Sequence, residues 1–276
     1  MQLHGFDVFV NRGNIYPSIL RDNRIPFFNS PLVELVQQAF STLERRITVV
    51  DIGATIGDTV LLLKERCNHA LRRIICVEGE AEFFALLDQN MRQFEDVVRI
   101  RAVLAGKAKR VRSLVKHHLG TAAAIGDEWI DAVPLDSLRP AISAPVDVLK
   151  IDVDGCDGEV LCGAAALLEQ SRPAVIFEWH PKLFAATGCD PLAPFETLTS
   201  AGYGCYLWFN NRGTFSHFSG VPSRDVLQQT VDYLIAVNAR CDEHFDVIAV
   251  PNGSRLNPVA LAAMEYARGW QAARQL

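Results

Sequence analysis

VVDIGATIGDTV, residues 49–60, is the stretch of sequence that decides the fold. It belongs to an apolar, β-branched run that begins at residue 47 and stops at Gly53, a pattern typical of a strand buried on both faces of a parallel sheet. Apolar residues at helical spacing then follow over 58–66. The glycines at 53 and 57 let the backbone turn sharply and let a ligand approach without a Cβ in its way. This predicts a strand, a tight loop and a helix, a unit that can hold a nucleoside-containing cofactor at the carboxyl edge of a parallel sheet.

The same alternation of strands and helices extends outward from this stretch. It predicts strands at 73–78, 97–104, 147–152 and 174–179, and helices at 81–94, 156–169 and 191–201. Before the stretch, Ser30 and Pro31 predict the N-cap and first position of a helix. Between 106 and 140 the pattern is less regular, with strand-like pieces at 110–115 and 129–133. The last third predicts a hairpin around 210–213, a helix at 224–238, a strand at 245–251 and a helix at 257–273. The fold class is α/β, Rossmann-like, with a mostly parallel doubly wound sheet and antiparallel C-terminal strands.

Composition excludes several classes of protein. The net charge is −5 with scattered Lys and Arg, so the basic face of a nucleic-acid-binding protein is not expected. No apolar run approaches the ~18–20 residues that span a bilayer, and the start of the chain does not resemble a signal peptide. The seven dispersed cysteines contain no C-x-x-C and fit a reducing compartment. We therefore expect a cytoplasmic protein without membrane insertion.

The loop after residue 52 favours a cofactor without phosphates. A dinucleotide fingerprint would place glycines at 53, 55 and 58, but the chain has Thr55 and Asp58 there, which disfavours NAD. Glu78 ends the second strand, 27 residues after Asp51, where an acidic side chain can accept hydrogen bonds from ribose hydroxyls. This combination suits S-adenosylmethionine, although the loop alone is also compatible with a tight turn that binds nothing. The candidate cofactor-binding residues are Asp51, Gly53, Ala54, Gly57, Glu78, Ala102 and Asp152.

A second group of polar residues follows the strands at 147–152 and 174–179. Asp152 and Glu178 end otherwise apolar strands, which is costly unless they are hydrogen-bonded. His180 comes next, as the only histidine expected in the crevice, and a structural role is the alternative for it. Acidic residues also begin the helix after Asp152, where capping and the helix dipole best explain Asp157 and Glu159. The pair at 117–118, His-His, is expected in a solvated loop.

Four ordered motifs resemble the FkbM-type methyltransferases, which use S-adenosylmethionine. VVDIGATIGDTV is similar to the family's V-D-x-G-A-N-x-G-D-T, with Thr55 in place of Asn, and CVEGEAEFFALLDQN resembles V-E-P-x-x-x-x-F-x-x-L-x-x-N, with Gly79 in place of Pro. AVPLDSL resembles the V-x-L-D-x-L element. VLKIDVDGCDGEVLCGA is similar to L-K-I-D-V-E-G-x-E-x-x-V-L-x-G-A, with Asp154 and Asp157 in place of Glu. The resemblance covers residues 48–180, about half of the chain.

The resemblance implies a class I methyltransferase fold and O-methylation of a hydroxyl on a sugar, glycan or secondary metabolite. It suggests an N-terminal cap at 1–45 that forms one compact unit with a methyltransferase domain at 46–276. We interpret His180 as the general base, with Glu178 or Asp152 orienting it or the acceptor. Alternatively, Asp152, Asp154 and Glu178, with His180, could hold a divalent ion. An NAD-linked or nucleotide-sugar oxidoreductase and a non-catalytic binding module on the same fold are the competing hypotheses.

Overall fold

A computed structural model of the chain describes residues 1–11, 16–22, 24, 29–116, 122–239 and 241–262. Its strands, in chain order, are β1 (Gln2–Leu3), β2 (Phe6–Asp7), β3 (Ile47–Ile52), β4 (Leu71–Glu78), β5 (Val97–Arg101), β6 (Val103–Leu104), β7 (Lys109–Lys116), β8 (Ala122–Val133), β9 (Val148–Ile151), β10 (Ala174–Trp179), β11 (Tyr203–Asn210), β12 (Phe215–Ser219) and β13 (Phe245–Pro251). Its α-helices are α1 (Tyr16–Arg21), α2 (Ser30–Leu43), α3 (Asp58–Cys67), α4 (Ala81–Met91), α5 (Arg139–Ile142), α6 (Asp157–Cys162), α7 (Ala165–Ser171), α8 (Pro181–Thr187), α9 (Ala193–Ser200) and α10 (Arg224–Val237). Short 3₁₀ helices cover Asn68–Ala70 and Leu135–Leu138.

The centre of the described structure is an eight-stranded sheet in the order β12-β11-β13-β10-β9-β3-β4-β5. The strands from β10 to β5 in that order pair in parallel, and β13, β11 and β12 add antiparallel strands at the other end. Helices connect the parallel strands, as right-handed crossovers require. This confirms the predicted fold class: a Rossmann-like, mostly parallel sheet with antiparallel C-terminal strands.

The two faces of the sheet pack into two separate hydrophobic clusters. Along β3, Val49 belongs to the cluster under α2 and α3, whereas Val50 belongs to the cluster under α6, α7 and α9. Successive side chains of a strand point to opposite faces, so an unbroken apolar run is what a doubly covered strand needs. The predicted burial of 47–52 on both faces is thereby confirmed.

Several predicted element bounds are wrong. The predicted strand at 97–104 breaks at Ala102: β5 stays in the main sheet, while β6 joins β8 and β7 in a three-stranded sheet. The predicted helix at 156–169 breaks at Gly163, where a Cβ would lie 2.4 Å from the carbonyl oxygen of Ala105, so the backbones touch. Ser30 is the first helical residue of α2 instead of its N-cap, a position that Asn29 occupies. Helix α8 was not predicted.

Other predicted elements are present within a few residues of their expected bounds. The hairpin of β11 and β12, helix α10 and strand β13 all form. The final helix is described only for residues 258–262, and the rest of its predicted length, like the histidine pair at 117–118, lies outside the described residues.

The N-terminal segment is tied to the same body as the central sheet. Leu3 and Val8 lie in the cluster under α2. The side chain of Asn90 in α4 accepts a hydrogen bond from Phe9 N (2.8 Å) and donates to Phe9 O (3.0 Å) and to Ile56 O (2.9 Å). One buried amide thus fixes the first strands of the chain and the glycine loop to each other. Across the part of the chain that the structure describes, no helix has both the length and the apolar character needed to cross a membrane.

Candidate functional site

The glycine loop between β3 and α3 is held tightly against the ends of the neighbouring strands. Gly53 N and Ala54 N both donate to Val77 O, at 2.9 and 3.2 Å. Gly53 has a φ of 78°, and a Cβ added to it would lie 1.8 Å from the carbonyl oxygen of Asp152. Glycine is required here because the backbone of the β9 end occupies the space of a side chain. The sequence predicted the glycine for the approach of a ligand, whereas the close neighbour is the chain itself.

A carboxylate stands at the start of the helix that follows the loop. Gly57 has a φ of 92° and occupies the N-cap position of α3, whose first residue is Asp58. The buried carboxyl of Asp58 accepts a hydrogen bond from the hydroxyl of Thr55 at 3.0 Å. Burial raises the pKa of Asp58. Negative charge at this helix start does not favour a pyrophosphate.

Glu78, at the end of β4, is buried next to the loop. Its carboxylate accepts hydrogen bonds from Thr55 N (2.9 Å) and Glu80 N (2.7 Å). Burial raises the pKa of Glu78 to about 7, although these backbone hydrogen bonds act in the opposite direction. Ala102 N donates to the carbonyl of Glu78 at 3.1 Å, which places the end of β5 beside it. The predicted cofactor residues of β3, β4 and β5 thus meet at one edge of the sheet.

A buried lysine, which sequence reasoning missed, joins the carboxylates of β3 and β9. Lys150 Nζ lies 3.2 Å from Asp51 Oδ1 and 3.1 Å from Asp152 Oδ2, because Lys150 stands opposite Asp51 in the β3–β9 register. Burial raises the pKa of Asp51 to about 6, with Lys150 opposing. Burial alone would lower the pKa of Lys150, but the surrounding carboxylates outweigh it and raise the pKa. A single lysine in the apolar strand VLKI was the available signal.

Imidazoles and carboxylates come together next to this edge, at the end of β10 and the start of β13. His180 Nε2 lies 3.1 Å from Asp242 Oδ1, and His244 Nε2 lies 3.2 Å from Glu178 Oε1. The two imidazole rings stack at a centroid distance of 4.8 Å. Asp246 stands opposite Glu178 in the β10–β13 register.

One expectation about His180 is therefore wrong, and the orienting role of Glu178 or Asp152 stays a prediction. His180 is not the only histidine in the crevice, since His244 stacks on it. Its ring nitrogen faces Asp242, while Glu178 contacts His244 and Asp152 contacts Lys150. The missed residues precede β13, which pairs antiparallel with β10. The start of an antiparallel neighbour lies beside the carboxyl end of its partner, and this was the signal that could have found them.

The charge of Asp152, at the end of β9, acts on the pKa values of this group. The pKa of Asp242 is lowered, mainly because it accepts a hydrogen bond from His180. Burial lowers the pKa of His244, but Asp242 and Asp246 more than offset this, so its pKa is raised. Burial and then the charge of Asp152 raise the pKa of Glu178 well above the usual range. Asp152 therefore lies within electrostatic reach of this group.

The other acidic residues after β9 have separate surroundings. Asp154 Oδ2 lies 3.4 Å from Ala122 N, and burial raises the pKa of Asp154 to about 7. Asp157 and Glu159 lie in the first turn of α6, where the helix dipole favours them, but Cys156 takes the N-cap position and the fully buried carboxyl of Asp157 has no hydrogen-bond partner among the described residues. Glu159 forms an ion pair with Lys109 at 2.5 Å.

The structure does not gather Asp152, Asp154 and Glu178 into one set of metal ligands. Within the described residues, the acidic and imidazole side chains that come close enough to share an ion are His180, Asp242 and His244.

The family model for the methyltransferase FkbM domain matches residues 51–203, more than half of the chain. The matched residues include the glycine loop, Glu78, Asp152 and His180, whereas Asp242 and His244 lie beyond them. No curated protein matches the chain.

Three solved structures are among those similar to the chain. The methyltransferase FkbM from Methylobacillus flagellatus KT is 16% identical over 60% of this chain, with a TM-score of 0.38, and the match spans 50% of that protein. The O-methyltransferase from Bacillus cereus in complex with SAH is 15% identical over 89% of this chain and 94% of that one, with a TM-score of 0.43. A SAM-dependent methyltransferase from Aquifex aeolicus is 10% identical over 83% and 93%, with a TM-score of 0.41.

Proposed function

The chain belongs to the FkbM family of methyltransferases, and on that premise we propose that it is an S-adenosylmethionine-dependent O-methyltransferase for a hydroxyl of a sugar, glycan or secondary metabolite. The observation that carries the proposal is the meeting of the glycine loop, the buried carboxylate of Glu78 and the end of β9 at one edge of the sheet. An imidazole–carboxylate group lies directly beside this edge. The proposed cofactor site and a group able to accept a proton are thus neighbours.

The residues at the sheet edge fit S-adenosylmethionine better than a dinucleotide. Each oxygen of Glu78 already accepts one backbone hydrogen bond, which leaves one acceptor site per oxygen for the two hydroxyls of a ribose. Asp58, at the start of α3, opposes a phosphate. The proposed contacts are with Gly53, Ala54, Gly57, Glu78, Ala102 and Asp152. Asp51, also predicted as a cofactor-binding residue, has a fully buried carboxyl paired with Lys150, so we propose that it supports the end of β3. When bound, the cofactor supplies a methyl group on a sulfonium.

The residues of the chain must place an acceptor hydroxyl in line with that methyl and must remove the proton of the hydroxyl. Correct placement alone can contribute up to ~7–11 kcal/mol. A sugar hydroxyl is a very weak acid, so its proton must leave as the new bond to oxygen forms, and a positioned group can contribute ~10²–10⁴-fold. We propose that this step depends on His180, with Glu178 and Asp152 as the neighbouring carboxylates. The support is their shared position at the ends of β9 and β10.

We also propose the acceptor class, the domain organisation and the location of the protein. The acceptor is a small molecule or glycan, and neither nucleic acid nor membrane insertion is part of the proposal. The cap consists of residues 1–45, and the methyltransferase domain consists of residues 46–276. The cap and the residues after His180 determine the acceptor specificity. A cytoplasmic location is supported by the seven cysteines, all of which are free thiols.

Transfer of an isotope-labelled methyl from S-adenosylmethionine to a panel of glycosides and metabolite extracts tests the proposal. We expect a product that carries the label on a hydroxyl oxygen, with transfer lost in Glu78→Ala. The matched control is His69→Ala, which removes an exposed imidazole before β4 and should leave transfer unchanged. Label on nitrogen or carbon would contradict O-methylation. Cofactor binding without transfer to any acceptor would favour a binding module.

A further inference from the structure

Three side chains beside the cofactor edge form a set with the geometry of a metal site. His180 follows β10, and Asp242 and His244 precede β13. Each offers one ligand atom, and these three atoms lie within 4.8 Å of one another. His180 is buried, whereas the side chain of Asp242 is 72% exposed. One side of the set is therefore packed inside the protein, and the other side is open to solvent.

Two of the distances between the donor atoms suit a shared ion. Asp242 Oδ1 lies 3.1 Å from His180 Nε2 and 3.6 Å from His244 Nδ1. Metal–ligand bonds of about 2.0–2.2 Å place neighbouring donors roughly 3–3.5 Å apart. The 3.6 Å separation is longer than a hydrogen bond, and His244 Nδ1 is buried with no hydrogen-bond partner among the described residues. That nitrogen is therefore available to a ligand.

Glu178 holds the second imidazole from its other side. Its Oε1 lies 3.2 Å from His244 Nε2, and a proton donated from Nε2 to Glu178 would leave the lone pair of Nδ1 facing Asp242. Metal-binding histidines commonly donate their second ring nitrogen to a carboxylate in this way, which fixes the tautomer and the ring orientation. The stacking of His244 on His180 limits both rings further.

The backbone that carries Asp242 and His244 is anchored on two sides. Asn211 Nδ2 donates to Asp242 O at 2.8 Å. The buried side chain of Asn238 donates to Glu243 O (2.6 Å) and accepts from Glu243 N (3.1 Å). The donors are thus held in place before any ligand arrives, as a preorganised site requires.

The charges around the set favour a cation. Glu178 and Asp246 face each other across β10 and β13, and Asp152 lies within electrostatic reach. The nearby Lys150 is already paired with Asp51 and Asp152. The carboxyl groups of this corner therefore outnumber its lysine.

We propose that His180, Asp242 and His244 bind one divalent transition-metal ion, with Glu178 positioning His244. Two imidazoles and one carboxylate suit ions such as Zn²⁺, Fe²⁺ or Co²⁺ better than Mg²⁺ or Ca²⁺, which prefer oxygen ligands. Three protein ligands leave coordination positions open, the arrangement of catalytic metal sites. This inference rests on the proposed function and defines the part of His180 in it: a metal ligand. An acceptor hydroxyl bound to the ion would lose its proton more readily, because a metal ion lowers the pKa of a bound hydroxyl.

Titration of the full-length, chelator-treated protein with Co²⁺ tests the site, read by visible absorption and by calorimetry. We expect one equivalent to bind, with ligand-field bands and without the thiolate charge-transfer band that a cysteine site would show. Asp242→Asn should weaken binding at least tenfold, and Glu178→Gln by about tenfold, as for other partners of metal-bound histidines. The matched control is Glu243→Gln, which neutralises the exposed neighbour of Asp242 and should leave Co²⁺ affinity within twofold of wild type. Mg²⁺ should give no binding heat.

Several results would overturn the site. They are the absence of Co²⁺ binding, a thiolate band, or equal affinity in wild type and Asp242→Asn. If circular dichroism shows that Asp242→Asn does not fold, His244→Gln gives the same comparison. A titration of the same samples with S-adenosylmethionine separates the two proposals. Normal cofactor binding without Co²⁺ binding contradicts the metal site alone, and Co²⁺ binding without cofactor binding contradicts the proposed function alone.

Discussion

Substitution of Gly53 by alanine should force the glycine loop away from the end of β9. The residue has a φ of 78°, and its added Cβ would lie 1.8 Å from the carbonyl oxygen of Asp152 and 2.9 Å from the carbonyl carbon. Because both atoms belong to the backbone, no side-chain rotation can relieve the contact. The two segments must separate until the Cβ is at least 3.4 Å from the oxygen, where ordinary contact begins.

The cost has two parts. The left-handed conformation costs an alanine about 1–2 kcal/mol. Overpacking adds about 1–3 kcal/mol, and strain on the hydrogen bond from Asp152 N to Ile52 O (3.1 Å) adds up to about 1–3 kcal/mol if it breaks. If that hydrogen bond breaks, Gly53→Ala should therefore lose about 3–8 kcal/mol of stability. Gly188→Ala is the matched control, because Gly188 has a φ of 74° and nothing within 4 Å of an added Cβ, so it should lose only the first part.

Urea denaturation of both variants and titration with S-adenosylmethionine measure these effects. We expect Gly53→Ala to be at least 2 kcal/mol less stable than Gly188→Ala, a difference that equals the smallest added cost above. Cofactor affinity should fall in Gly53→Ala alone, because its loop lies at the proposed site. Equal stability of the two variants would refute the reasoning, since they differ only in the contact with Asp152.

Three further predictions concern charged groups of the site. In methyl-transfer kinetics, His180→Ala should lower kcat by ~10²-fold or more, while the cofactor Kd stays within a few-fold of wild type. A near-normal kcat would show that His180 takes no part in the reaction. Lys150→Met should lower the free energy of unfolding, measured by urea denaturation, by about 3–5 kcal/mol, because Asp51 is left as an unpaired buried charge. The control Lys107→Met, on the surface, should stay within about 0.5 kcal/mol of wild type. The pKa of Glu78 is raised to about 7, and ribose hydroxyls need the charged carboxylate. Cofactor affinity should therefore rise about tenfold from pH 6 to pH 8 in calorimetric titrations. A flat profile would show that Glu78 does not titrate in this range or does not bind the ribose.

The fold followed from the sequence where local pattern and tertiary packing agree. The strands at 47–52 and 174–179 are continuous apolar runs, and the structure has them as Ile47–Ile52 and Ala174–Trp179. The break at Ala102 could not be predicted, because Val103 and Leu104 continue the apolar pattern and differ only in the sheet that they join. The same is true of Gly163, whose helix ends because another backbone touches it.

The candidate site was predictable to the extent that it lies at the ends of parallel strands. Glu78, Asp152 and His180 were all found from that rule and all lie near one edge of the sheet. Asp242 and His244 follow their partners by more than sixty residues and precede an antiparallel strand, so only the pairing of β10 with β13 brings them to the site. Long-range antiparallel pairing is not a property of the local sequence.

Calorimetric titration of the wild-type protein and Glu78→Ala with S-adenosylmethionine and its demethylated product tests the central claim most directly, with NAD as the comparison ligand. We expect one site with a Kd in the micromolar range and no NAD binding. Binding should be at least tenfold weaker in Glu78→Ala, because a hydrogen bond to a charged group contributes about 1.5–3 kcal/mol. Equal affinity in both proteins, or binding of NAD in preference to S-adenosylmethionine, would contradict the central claim.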